Sequence, residues 1–419
     1  HAVENYRQIL NADGFKELLE SEHWDIVPGG KYYVTRNNTS ILAFKVGTKL
    51  DNYSFNIVTS HTDSPTFKVK ENAEIEVKNK YTQLNTEGYG GMLCATWLDR
   101  PLSIAGRVLV SEGNSIVTKL LNIDRDLLMI PNVAIHMNRA ANDGFKYNLQ
   151  VDMLPLLSAG DDRQKDFKQI LADELGVKKE DILGHDLYLY NRMAPSIWGA
   201  NEEFISAGHL DDLQCGFASL KALLSGYNDE SIDIMACFDN EEVGSGTKQG
   251  ADSTLLRDTL TRINSALGKT EEDYHRALAS SFMLSSDNAH AVHPNHPEHT
   301  DATNCTYMNE GVVVKSHAGQ KYTSDGVSMA VVKSLASGAD VPLQYFANRS
   351  DKAGGSTLGN IAMAQASMNA VDIGLPQLAM HSSYETAGIK DTYYAISLMK
   401  ALFDSHIQET STHSLEIKR

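Results

Sequence analysis

Apolar and polar positions along the chain follow two alternating periods. Residues 55–59 read as a strand that ends at "SHTDSP", and residues 232–238 form a β-rich run that ends at "DNEEVGSG". "FMLSSD", "LQYFANRSD" and "QLAMHSS" predict further strands. Between these runs the period lengthens. Leu213, Phe217, Leu220 and Leu224 share one helical stripe that stops at Gly226. Leu256, Leu260, Ile263 and Leu267 form another, with Ser253 as a cap and Gly268 as the stop. A final helix is expected over residues 391–404. Strands alternating with helices predict an α/β fold built on a layered mixed sheet.

The middle of the chain reads differently. "SIAGRVLV", "SIVTKLLNI" and "LYLYN" are strand-like, and residues 161–180 form a charged stretch expected to be helical. The expected organisation is a discontinuous domain over residues 1–66 and 200–419, with a β-rich domain inserted at 67–199.

Composition narrows the function classes. The chain has 419 residues, 42% of them hydrophobic, and a formal net charge of −17. Nucleic acid and anionic membranes need a basic face, so both are excluded as expected partners. No apolar run approaches the roughly 18 residues of a membrane span. Cys94, Cys215, Cys237 and Cys305 are far apart and form no C-x-x-C pair. With no secretory leader in view, a reducing, cytoplasmic setting is expected.

Five clusters place metal-type ligands just beyond an expected strand. They are His61 and Asp63 in "HTDSP", Asp211 and Asp212 in "GHLDDL", Glu241 and Glu242 in "DNEEVGSG", Asp287 in "SSDNAH" and His381 in "LAMHSS". Sites in open α/β sheets form outside the carboxyl ends of the strands, where residues distant in sequence converge. Imidazole and carboxylate without thiolate suit zinc-like metals, and the number of ligands suits a pair of ions sharing a bridging carboxylate. Taken singly, each cluster has an ordinary reading. Asp212 could cap the following helix, and Glu241 and Glu242 could be a solvated loop. "GSGTKQG" misplaces the third glycine of a dinucleotide fingerprint. His290, His293, His296 and His299 recur every three residues, but Pro294 and Pro297 exclude a regular helix through them. No G-x-S-x-G elbow is present.

At these clusters the chain resembles the aspartyl aminopeptidase family of di-zinc metallopeptidases, which includes vacuolar aminopeptidase I. The resemblance rests on "HTDSP", "GYGG" followed by "TWLDRPLSIAGRV", "IPNVAIHMNR", "HLDDL", "DNEEVGS", "SSDNAHAVHPNHPEH" and "LPQLAMHS", in the family's order. It implies two zinc ions per subunit, with cobalt or manganese also compatible with the ligands. Asp211 would bridge the ions, His61 and Asp287 would complete one site, and Glu242 and His381 the other. Asp63 would orient the His61 ring. Glu241 would be the general base, taking a proton from the attacking water and returning one to the leaving amine. Holding the free α-amine on a metal would restrict cleavage to the first residue of a peptide. Lys315, His290 and His293 match positions that line a pocket for acidic side chains. The inserted segment resembles the family's dimerisation domain, and His136 matches a histidine that reaches the neighbouring subunit's site. A tetrahedral shell of twelve subunits built from dimers is the implied assembly.

Two other readings stay open at this stage. A deacylase or carboxypeptidase on a similar scaffold would need a group for a free carboxylate, for which Arg349 is available. A self-assembling shell protein without activity would need none of these ligands.

Overall fold

The computed structural model describes residues 1–160, 166–412 and 414–419 and divides them into two compact units. One unit comprises residues 2–63, 197–380 and 386–419, and the other comprises residue 1, residues 64–196 and residues 381–385.

The larger unit is built on a nine-stranded mixed sheet. Its strands, labelled in chain order, are β1 (Lys16–Leu18), β2 (Lys31–Arg36), β3 (Ser40–Val46), β4 (Ser54–His61), β5 (Ser231–Phe238), β6 (Phe282–Ser286), β7 (Val312–Lys315), β8 (Leu343–Phe346) and β9 (Asn369–Gly374). In space they run β1-β2-β3-β5-β4-β6-β9-β7-β8. The four central strands β5, β4, β6 and β9 are mutually parallel, which aims their carboxyl ends at one edge. All of β4, β5 and β6 is buried. Strands covered on both faces carry consecutive apolar residues, here at 57–58, 234–238 and 282–284, and this made them visible in the sequence.

Side-chain alternation splits the core into two layers. Val58, Met235, Cys237 and Leu284 join one cluster with Leu220, Leu223, Leu335, Leu398 and Phe403. Phe55, Ile57, Ile234, Phe238 and Met283 join the other with Leu256, Leu260, Ile263 and Ala362. Helices Leu210–Ser225, Gly326–Gly338 and Asp391–Phe403 contribute to the first cluster, and Leu255–Ala266 and Leu358–Gln365 to the second. Ser253 Oγ accepts from Leu255 N at 3.2 Å, and Gly268 turns the chain with φ +69°. The Leu210–Ser225 stripe differs from the expected one. Phe217 is exposed, and the buried face uses the small residues Cys215, Ala218 and Ala222, which let the helix lie close against its neighbours.

The smaller unit holds a six-stranded antiparallel sheet. Leu102–Glu112, Ser115–Asn122 and Ile182–Asn191 contain the three expected strand runs. Its core centres on Phe67 and Trp97, whose rings meet edge to face at 5.4 Å. Helix Phe167–Leu175 is capped by Asp166, whose side chain accepts from Gln169 N, and ends at left-handed Gly176. Residues 161–165 of the expected helical stretch lie outside the described residues. "AIHMNR" forms a turn: Met137 N donates to Ala134 O at 2.8 Å, and His136 is exposed. No helix among the described residues is long and apolar enough to cross a membrane.

Candidate metal centre

Three of the five clusters meet at the carboxyl ends of adjacent strands. His61 is the last residue of β4 and lies level with Phe238 of β5. Ser285 of β6 pairs with Thr59 of β4, which brings Asp287 to the same level. Gly374 ends β9 beside it, where a Cβ would sit 2.1 Å from the Asp287 carbonyl oxygen, so only glycine admits this approach. Asp211 enters at the start of helix Leu210–Ser225 and is buried.

His61 Nε2 faces Asp211 Oδ1 at 3.5 Å and Asp287 Oδ1 at 3.7 Å. Ligands about 2.0–2.1 Å from one tetrahedral ion stand about 3.3 Å apart, so this trio is close to the spacing that zinc requires. Among the described residues, one ligand atom each from His61, Asp211 and Asp287 lie within 4.8 Å of one another, and the same holds for His61, Glu241 and Glu242. Asp211, Asp212 and Asp287 are all buried here, with His61 and Lys315 as the nearby basic groups. This excess of buried negative charge suits a bound cation. The donor set therefore fits zinc in both type and spacing.

The other ring nitrogen of His61 is held by Asp63. His61 Nδ1 lies 3.0 Å from the Asp63 main-chain oxygen and 3.4 Å from its carboxylate Oδ1. That carboxylate also accepts from Glu241 N and Glu242 N, both at 3.1 Å. One residue thus orients the imidazole and pins the turn carrying both glutamates. The turn opens at left-handed Asn240 and closes at Gly244, with a single 3-10 turn over Glu241–Val243 between them. This bend lets two neighbouring side chains serve one site, which a strand would forbid.

Asp212 and Asn288 are positioning residues that the sequence did not single out for these tasks. Asp212 is not a simple helix cap: it has φ −114° and ψ 20°, and its Oδ2 accepts from His61 N at 3.0 Å. Asn288 Nδ2 donates to Leu210 O at 3.1 Å and Gln377 Oε1 at 2.7 Å, while its Oδ1 accepts from Cys215 Sγ at 3.0 Å. These bonds tie the end of β6 to the helix that carries Asp211. The signal was faint: an Asn beside a ligand Asp has no spacing rule.

Charge inside the cluster is strongly coupled. Burial pulls the His61 imidazole down, but Asp211, Asp287 and Asp63 together raise it well above its ordinary value. Burial, reinforced by Asp287, pushes the Glu241 carboxyl up to about 7. Lys315 is buried at the end of β7, donates from Nζ to Asn288 O at 2.7 Å and lies 3.9 Å from Asp287 Oδ2. Burial lowers the affinity of its ammonium for the proton, and the Asp287 charge more than restores it.

The remaining predicted residues lie on short strands and turns. His290 lies on the short strand Ala289–His290, level with Gln377 of Pro376–Leu378, and His293 is exposed on the following loop. The strand expected in "QLAMHSS" ends at Leu378, and His381 follows in a turn with φ +66°. Its Nδ1 is 2.7 Å from Gly91 O, and its backbone N donates to Glu385 Oε1 at 2.7 Å. Arg349 is forked on Asp351, with bonds of 2.9 and 2.8 Å, and also donates to Glu298 O.

Comparison with known proteins places the chain. The family model of the aminopeptidase I zinc metalloproteases (M18) matches residues 1–403. A probable M18 family aminopeptidase 2 of Clostridium novyi is 47% identical over 410 residues, covering 96% of this chain and 95% of the relative. Another of the same name, from Clostridium acetobutylicum, is 48% identical over 400 residues, covering 94% and 92%. The cryo-EM structure of the Ape4 and Nbr1 complex superposes with a TM-score of 0.93 at 35% identity, covering 96% of this chain and 82% of that one. The S. cerevisiae mApe1 dodecamer superposes with a TM-score of 0.83 at 28% identity, covering 96% and 92%. The chain therefore belongs to the M18 family of zinc metalloproteases and is an aminopeptidase of that family.

Proposed function

We propose that this aminopeptidase uses two metal ions to release acidic residues, Asp or Glu, from the N-termini of peptides. The observation that carries the reading is the convergence of His61 and Asp287, at adjacent strand ends, with Asp211 from a helix start, and the buried ammonium of Lys315 beside Asp287. Asp211 would bridge the ions, with His61 and Asp287 on one and Glu242 and His381 on the other. Bound there, the ions would supply Lewis acidity to the scissile carbonyl and acidify the attacking water.

The chain's own groups do the rest. Asp63 holds the His61 ring and the backbone of both glutamates, so the donors need little rearrangement when substrate arrives. Glu241 takes the proton from the attacking water and delivers one to the leaving amine. An ammonium carries three donors; Lys315 gives one to Asn288 O, and the others can meet a substrate carboxylate. His290, on the short strand after β6, and His293, on the loop beyond it, would line the same pocket.

An oligomer of this chain, and a dodecamer in particular, is favoured by the likeness to the mApe1 dodecamer. Within residues 133–151 the smaller unit exposes Val133, Ile135, Met137, Phe145, Leu149 and Val151, a surface suited to burial against another subunit. His136, in the same segment, would contribute to the neighbouring subunit's site. The carboxypeptidase reading is weakened because Arg349 already forks onto Asp351.

Chelation followed by zinc add-back, assayed on aspartyl, glutamyl and leucyl anilides, tests the proposal. Metal-dependent release with the acidic substrates preferred is the expected result. Release without acidic preference would remove the substrate assignment, and release without metal would remove the mechanism.

A further inference from the structure

A second group of metal-type side chains lies outside the buried centre. We propose that His296, Glu298 and His299 form a surface site for a divalent transition metal, separate from the ions of the catalytic centre. One ligand atom from each lies within 4.8 Å of the others. His296 Nδ1 is 3.1 Å from Glu298 Oε1, and the His296 and His299 rings are nearly parallel, 5.3 Å apart with 23° between their planes.

The backbone beneath these side chains is already shaped. His296 N donates to His293 O at 3.0 Å, and Pro297–His299 forms a single 3-10 turn in which His299 N donates to His296 O at 3.2 Å. Thr300 Oγ1 donates to Pro297 O at 2.8 Å, and Arg349 donates to Glu298 O. Asp301 Oδ1 then accepts from Thr303 N at 3.1 Å and Asn304 N at 2.8 Å. Pro294 and Pro297 remove further backbone freedom. The three side chains themselves are exposed, so they can rotate inward. Ligands on a tetrahedral ion stand about 3.3 Å apart, so the closure needed is on the order of 1 Å.

The donor chemistry selects the ion. Two imidazoles and one carboxylate suit zinc, nickel or copper, whereas calcium and magnesium prefer all-oxygen shells. Three protein ligands on an exposed loop leave at least one position open to water. Binding there is weaker than in the buried centre and reversible. Occupancy would also tie down the loop that carries His293.

Metal content separates this site from the centre. Wild-type protein and the His296→Ala/His299→Ala variant would be dialysed against micromolar zinc and their bound metal counted by mass spectrometry. The variant should hold one equivalent fewer and melt at the same temperature when metal-free. Glu298→Gln should retain the equivalent with about tenfold weaker affinity. Cobalt-loaded protein should lose one set of d–d absorption bands in the double variant. Equal metal content and equal cobalt spectra would overturn the proposal. So would an Asp287→Asn variant that binds no metal at all, because the surface equivalent should survive a change in the centre.

Discussion

Among the described residues, a buried and an exposed group of histidine and carboxylate have nearly the same chemistry and opposite surroundings. His61 and Asp287 are buried at the ends of parallel strands with Asp211 buried at the start of a helix beside them, and His296, Glu298 and His299 are exposed on an irregular loop. In the buried group the positions are dictated by strand register and by second partners such as Asp63, Asp212 and Asn288. In the exposed group short turns and the Arg349 bond to Glu298 O shape the backbone, and the side chains face solvent. Burial makes unneutralised carboxylates costly, so the buried group is committed to a cation, whereas the loop can remain solvated without penalty. The comparison teaches that ligand type locates possible metal sites, and burial ranks their dependence on metal.

The largest effects should come from the buried group. Asp287→Asn should lower turnover of aspartyl anilide by about a thousandfold or more, since it removes a ligand and with it the Lewis acidity of one ion. Mass spectrometry should show the loss of bound zinc. If this variant kept both its metal and its rate, the buried group would not differ from the exposed one. Glu241→Gln should cost about 10²–10⁴ in kcat, the usual worth of a general base, while metal content stays at the wild-type level. Matching losses of metal and rate would instead make Glu241 a ligand.

Lys315→Met should produce a selective effect. Cleavage of aspartyl and glutamyl anilides should fall on the order of a hundredfold, the scale of one desolvated charge-assisted hydrogen bond, while leucyl anilide changes little. Equal losses on all three would remove Lys315 from substrate recognition. Metal removal should also destabilise the fold. At zinc a thousandfold above its Kd the bound protein should gain about 4 kcal/mol, readable as a shift in denaturation midpoint. A mutant of the exposed loop should retain nearly all of that gain.

The smallest effect lies away from both groups and serves as a control for buried carboxylates that do not face a metal. Burial pushes the Asp391 carboxyl up to about 7, although it accepts from Asn309 N and Gly311 N. Its folded value therefore lies above the unfolded value of about 3.9, so the folded state holds the extra proton between them. Its contribution to stability should be present below about pH 4 and be lost as pH rises toward 7. Asp391→Asn should flatten that part of the pH–stability curve. An unchanged slope would show that Asp391 does not titrate in this range.

The legible parts of the fold share a physical cause. Strands β4, β5 and β6 are covered on both faces, so consecutive apolar residues at 57–58, 234–238 and 282–284 mark them. Helix Asp391–Phe403 was visible for the same reason, since its buried residues repeat at helical spacing. Elements with mixed or short patterns were missed. The terminal hairpin of His406–Ser411 and Ser414–Lys418 is largely polar on one side and offers no apolar run. Phe217 misled the stripe because a large apolar residue need not be buried, while Ala218 and Ala222 carry the packing. At the site, ligand types at strand ends were readable, but the partners were not. The Asp63 carboxylate bonds to the backbone of residues 241 and 242, and Asp212 to the backbone of His61. Backbone donors carry no sequence signature, so such contacts emerge only from the fold.

The central claim is that a buried pair of ions drives hydrolysis. It is tested most directly by titrating zinc into metal-free protein carrying His296→Ala/His299→Ala, with aspartyl anilide hydrolysis followed at each addition. No turnover without zinc and a plateau at two equivalents per chain are expected. Turnover in the metal-free protein, or a plateau at one equivalent, would contradict that claim.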